Sequence, residues 1–141
     1  MNYTQSNCTD RDIVVEASEA IAAGRLVKIA NSAGSPVAAL PTDVADYAAY
    51  VALDAAAAAG DGIPLRPVTL GRQVRVTLKS TCVPGDILTL ADPGTAADKG
   101  KVRVLPAGAD TYFIVGIAEE AGVDGQSVLI RPCTLGTRVV T

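Results

Sequence analysis

The sequence contains no histidine and no tryptophan, and Phe113 is its one phenylalanine. Without histidine, a Ser-His-Asp or Cys-His relay is excluded outright. No cysteine or carboxylate spacing matches a zinc site. GxGxxG and Walker A patterns are missing too, and Gly60-Asp61-Gly62 runs into an Ile-Pro strand, which offers phosphate no helix N-terminus. Asp43, Asp46 and Asp54 do not have the spacing of an EF-hand loop. The adjacent carboxylates Glu119-Glu120 read as a solvated turn, not as an acid and base pair. No enzyme activity and no cofactor are therefore expected.

Other shortages narrow the class further. Positive charge is scarce: the net charge is −3 with a pI near 4.8, and no basic patch stands out, so nucleic acid is not an expected partner. Long apolar runs are lacking. The most apolar window, residues 44–59, is broken by Asp46 and Asp54 and is mostly alanine, too weak and short to cross a bilayer. The N-terminus, Met1-Asn2-Tyr3-Thr4-Gln5, shows no basic and apolar regions of a signal peptide. Cys8, Cys82 and Cys133 are scattered and odd in number, which reads as free thiols, not a disulfide or metal set.

What the chain does have is alanine, valine, leucine and isoleucine, punctuated by 13 Gly and 8 Pro. That composition favours short strands and many turns over helices. It also has an internal echo. Arg66-Pro67-Val68-Thr69-Leu70-Gly71 returns as Arg131-Pro132-Cys133-Thr134-Leu135-Gly136, an offset of 131 − 66 = 65. Leu40-Pro41 answers Leu105-Pro106 and Tyr47 answers Tyr112 at the same offset. Val51-Ala52-Leu53-Asp54 resembles Val115-Gly116-Ile117-Ala118 at offset 64. Gly60-Asp61-Gly62 has a looser echo in Val123-Asp124-Gly125, and residues 24–29 resemble residues 85–90 at offset 61. Small indels belong in loops, so two related halves are expected, about 22–71 and 83–136. Each half alone would be marginal, so the two should share one domain, residues 13–141.

About ten short strands are predicted. Residues 73–79 alternate most cleanly, with Val74, Val76 and Leu78 on one face and Gln73, Arg75, Thr77 and Lys79 on the other. Residues 48–59 are ambiguous, since six of the eight residues from 52 to 59 are the strong helix former alanine. Their counterpart in the second half is aromatic and β-branched, so residues 50–54 are predicted as a strand. Residues 62–68 carry Pro64 and Pro67 and read as an edge strand, because proline removes a ladder donor. The expected fold is all-β, a small barrel or sandwich built from two related halves.

The polar residues 1–12 read either as a frayed terminus or as an extended N-terminal arm that orders against a neighbouring subunit or a larger surface. Arg66 and Arg131 are either pseudo-symmetric contact arginines or charges that blunt a sheet edge.

The order of Ile21-Ala22-Ala23-Gly24-Arg25-Leu26-Val27, the Val-Ala-Leu-Asp-Ala-Ala…Gly segment at 51–60, Gln73-Val74-Arg75-Val76, Val83-Pro84-Gly85-Asp86-Ile87-Leu88, and Val115-Gly116-Ile117-Ala118 followed by Gly125 and an apolar strand resembles the capsid decoration, or cement, proteins of tailed bacteriophages. The resemblance covers residues 13–132. It implies a homotrimer on the outside of the virion, assembled in the host cytoplasm, that binds the major capsid protein and stabilises the shell, often with an extended terminal arm. The family has no catalytic residues. Asn2, Tyr3, Arg11, Asp12, Arg66 and Arg131 are the expected capsid or subunit contacts. Two rivals stand beside it: a glycan- or receptor-binding β module, for which the aromatics are few, and an accessory domain of an enzyme.

Overall fold

The computed structural model describes residues 12–133 and 136–141. The chain is all-β. In the first half, strands β1 (Ile13–Ala17), β2 (Leu26–Ser32), β3 (Ser35–Ala39), β4 (Tyr50–Ala52) and β5 (Gly62–Pro67) close into a barrel in the order β1-β3-β2-β4-β5. Closure comes from β5, which pairs antiparallel with β1 from Ile13↔Leu65 to Glu16↔Gly62. The alanine-rich segment contributes a strand only as far as Ala52 and then turns.

The second half builds a sheet from β6 (Val74–Thr77), β7 (Ile87–Leu90), β8 (Val102–Val104), β9 (Asp110–Ala118) and β10 (Ser127–Arg131), ordered β6-β10-β9-β7-β8. Its ladder repeats that of the barrel, with β6 to β10 in the places of β1 to β5. The parallel closing pair, Glu16↔Val37 and Ala17↔Ala38 in the barrel, shrinks here to one parallel bridge, Leu78↔Val102. A last strand, β11 (Gly136–Val140), pairs with the first part of β9.

The hydrogen bonds of the turns repeat as well. Gly24 donates to Ala52 at 2.8 Å, and Gly85 to Ala118 at 2.8 Å. Ile21 and Ala56 exchange both backbone bonds, as do Cys82 and Gly122. Gly60 donates to Ala17, and Gly125 to Leu78. These pairings correct two of the sequence matches. Ala52 corresponds to Ala118, an offset of 118 − 52 = 66 and not 64. Gly60 corresponds to Gly125, an offset of 125 − 60 = 65, and not to Val123. A two-residue slip leaves every side chain on the same face of a strand, so a period-two pattern cannot reveal it.

The expected edge strand is also corrected: β5 lies between β1 and β4. Its prolines are tolerated because of where they fall. Pro64 accepts a 2.9 Å bond from Leu53, just past the end of β4, so the ladder there loses one bond and no more. Pro67 ends its strand.

Two apolar clusters fill the molecule. The smaller lies inside the barrel and includes Val15, Val27, Ala52, Ile63 and Leu65. The larger is built mainly from the second half around Leu88, Val102, Phe113 and Ile130, yet it also takes Leu26, Val51 and Val68 from the first. Neighbouring residues of β2 and β4 therefore point into different clusters, Leu26 and Val51 into one, Val27 and Ala52 into the other. At these positions both strands are buried on both faces, and the halves share a wall.

Backbone bonds fasten that wall. Leu26 donates to Gly100 at 2.7 Å, and Thr77 donates to Gly24 at 3.0 Å.

Candidate functional site

Arg66 and Arg131 occupy equivalent places, Arg66 across from Val51 and Arg131 across from Ile117. The structure keeps them apart, one in the barrel and one in the second sheet. Neither blunts an edge, since β5 and β10 are both internal. That expectation failed because pairing on both sides of a strand depends on distant partners and cannot be seen in the hydropathy of a single strand.

Arg66 holds Asp12 in a two-pronged contact, Nε to Oδ1 at 3.0 Å and Nη2 to Oδ2 at 3.1 Å. The hydrogen bonds from Arg66 lower the Asp12 carboxyl below its ordinary pKa, and Asp12 raises Arg66 in turn. Both side chains remain partly exposed, so the pair adds little stability, about 1 kcal/mol or less. Its geometric effect is larger: the chain is fixed at Asp12, where the described residues begin. Asn2, Tyr3 and Arg11 lie outside the described residues.

Arg131 pairs with Glu119 at 2.6 Å, and Glu119 also accepts from Gln73. Its neighbour Glu120 takes Arg75 at 2.6 Å and the backbone N–H of Leu129 at 2.8 Å. Hydrogen bonding from Arg75 draws the Glu120 carboxyl below its usual value. The acidic turn thus ties the end of β9 to β6 and β10. Beside it, a cavity of ≈ 390 Å³ opens between the halves, bordered by Gly24, Leu53, Arg66 and Arg75. Two ion-paired arginines border it, and no nucleophile with a base accompanies them. Among the described residues, no three His, Cys, Asp or Glu are placed to hold a metal ion, and no helix is long and apolar enough to cross a membrane.

The strongest polar cluster lies at the shared wall, where sequence reasoning placed only a hairpin connection. A short 3-10 turn, Ala96–Asp98, presents Asp98, which is 6% exposed. Lys79 approaches it at 2.9 Å and Lys101 at 3.1 Å, while Lys101 also reaches Asp124 at 3.3 Å. Arg25, from the first half, donates to the carbonyls of Ala97 and Lys99, both at 2.9 Å. No sequence signal pointed to Asp98, because Lys79, which pairs with it, and Arg25, which holds its turn, come from other segments of the chain.

Hydrogen bonding from Lys79 holds the Asp98 carboxyl below its ordinary pKa. A depressed carboxylate contributes stability that is present above its unfolded pKa, about 3.9, and lost as the pH falls through the lower folded value. Asp98→Asn should therefore melt earlier than the parent at pH 7. The difference should shrink as the pH drops below about 4, which thermal melts between about pH 2.5 and 7 would measure.

No protein-family model matches the chain, and no curated protein matches its sequence. One solved structure, that of the head fiber gp8.5 N base of bacteriophage phi29, superposes with a TM-score of 0.68 over 89% of this chain and 96% of that one. The likeness is one of fold. Identity is 21%, so the shared architecture spans nearly both chains with few residues in common.

Proposed function

We propose that this chain is a structural protein of a phage virion that binds the outer surface of the capsid and stabilises the shell as a decoration, or cement, protein. The observation that carries the reading is the fold likeness to a phage head-fiber base over almost the full length of both chains. The order of sequence motifs shared with decoration proteins points the same way. The composition agrees with it. A compact β block that is poor in aromatics lacks the anchors of a concave binding site, and gains affinity through symmetry and many repeated contacts.

On this reading the partners are the major capsid protein and two further copies of the chain, assembled as a homotrimer in the host cytoplasm and retained on the exterior of the virion. Residues 1–12 act as the arm, with Asn2, Tyr3, Arg11 and Asp12 as contacts, and the Asp12–Arg66 pair fixes where the arm leaves the barrel. Arg66 and Arg131 supply equivalent polar contacts from the two halves.

The test is decoration of expanded empty heads that lack the protein. Added chain should saturate the heads at a fixed ratio to the major capsid protein and raise their thermal disruption temperature. Deleting residues 2–12 should lower occupancy while leaving the circular dichroism spectrum and melting temperature of the isolated chain unchanged. Heads that take up none of the full chain would end the reading, and full occupancy by the deletion variant would end the role of the arm.

A further inference from the structure

The cavity of ≈ 390 Å³ between the halves is lined by Arg66 from β5 of the barrel and by Arg75 from β6 of the second sheet. Gln73, Ser127 and the half-exposed Leu53 line it with them. The chain as a whole is acidic, at −3, yet among the described residues no aspartate or glutamate belongs to this lining. The carboxylates that pair with the two arginines, Asp12 and Glu120, are not part of it either. Neither ion pair exhausts its guanidinium, which carries five N–H donors. Arg66 spends Nε and Nη2 on Asp12, and Arg75 spends Nη1 on Glu120 and on the Ser127 carbonyl. Among the described residues, nothing accepts from Nη1 of Arg66 or from Nε and Nη2 of Arg75. Both side chains stay partly open to solvent.

We propose that this cavity is an anion site that takes an aspartate or glutamate side chain of the protein's binding partner, gripped by Arg66 of one half and Arg75 of the other. The inference rests on the capsid-binding reading above, which makes that partner the major capsid protein, and it names the chemistry of one contact. The ligand class follows from what the lining offers. Guanidinium groups donate and never accept, so the occupant has to supply acceptor oxygens. A carboxylate presents two, at the spacing an arginine fork matches, and its bonds to guanidinium are charge-assisted. A basic side chain would instead meet two cations, with no acid in the lining to receive it. The volume falls within the roughly 300–1,000 Å³ of small-ligand sites, which suits a single side chain and its main chain. A surface poor in aromatics can still anchor a partner in this way, because arginine stands with tryptophan and tyrosine among the residues that dominate interfaces.

The test titrates glutarate, a free dicarboxylate, into the isolated chain at low salt and follows the amide chemical shifts by NMR, with Arg75→Gln and Glu120→Gln alongside. The full chain should bind saturably, with the shifts centred on the cavity, and Arg75→Gln should bind roughly tenfold more weakly. Glu120→Gln breaks the same ion pair but keeps the guanidinium, so it should bind glutarate at least as tightly as the parent. That contrast separates an anion grip from a structural role of the pair. All three chains should melt alike, since the pair is largely exposed. On expanded empty heads, Arg75→Gln should need a concentration roughly tenfold higher for half-occupancy, and Glu120→Gln should not. A full chain that ignores glutarate, or an Arg75→Gln chain that decorates heads as tightly as the parent, would overturn the inference. Binding of glutarate through Arg75 by a chain that ignores empty heads would end the capsid reading and leave the anion site standing.

Discussion

Gly100→Ala should be among the most damaging single substitutions in this protein, lowering stability by about 3 kcal/mol or more. Two causes add at this position. The backbone of Gly100 has φ = 75°, a left-handed conformation that a side chain resists by about 1–2 kcal/mol. A Cβ there would also lie 2.6 Å from the carbonyl oxygen of Leu26 and 3.1 Å from both Arg25 Cβ and Leu40 Cδ2. Leu26 cannot easily retreat. Its N–H donates to the Gly100 carbonyl at 2.7 Å, and its side chain is fully buried in the larger core. Relief therefore requires the two halves to separate locally, which strains the Asp98 cluster as well. Gly34, with φ = 86° and open space around it, supplies the control. Gly34→Ala should carry the conformational cost alone, about 1–2 kcal/mol. Chemical denaturation of the three chains would measure both values, and equal losses would refute the steric part of the account.

Phe113→Ala should cost about 3–5 kcal/mol, a large share of the 5–15 kcal/mol that holds a domain of this kind together. The scarcity of aromatics concentrates volume in this one ring, which is fully buried in the larger cluster. Tyr47 meets it edge-on at 5.0 Å and 63°, covering it from outside while remaining 60% exposed. The backbone is equally committed. The Phe113 N–H donates to Val44 at 2.9 Å, and its carbonyl accepts the buried hydroxyl of Thr89 at 2.7 Å. Truncation thus opens a cavity between groups that are pinned and cannot collapse into it. Phe113→Leu keeps most of the volume and should cost about 1.5 kcal/mol. Shifts in the urea midpoint at constant slope would report the difference.

Most strands were legible because each half-buried strand writes its alternation or its β-branched run into the chain. Residues 50–52 were found against their alanine-rich neighbourhood, since a β-branched counterpart outweighed local helix propensity. The place of Arg66 and Arg131 on matching strands was legible too, from Arg-Pro pairs that recur at one offset. What escaped notice depends on distant partners. Pro64 announces an edge until β1 is known to close on β5. The equivalence of Ala52 with Ala118 is hidden by a slip that preserves sidedness. Asp98 looks like any turn residue until Lys79, Lys101 and Arg25 converge on its segment.

The strands that face two cores carry a consequence for how this kind of chain can change over generations. Leu26 and Val51 answer to side chains from the other half, while Val27 and Ala52 answer to their own. A drifting residue at either of the first two positions selects for compensation in the other half, so the two halves are pushed to change in step. Hybrids that take one half from a distant relative should consequently inherit a mismatched lining, unless β2 and β4 travel with the half they face.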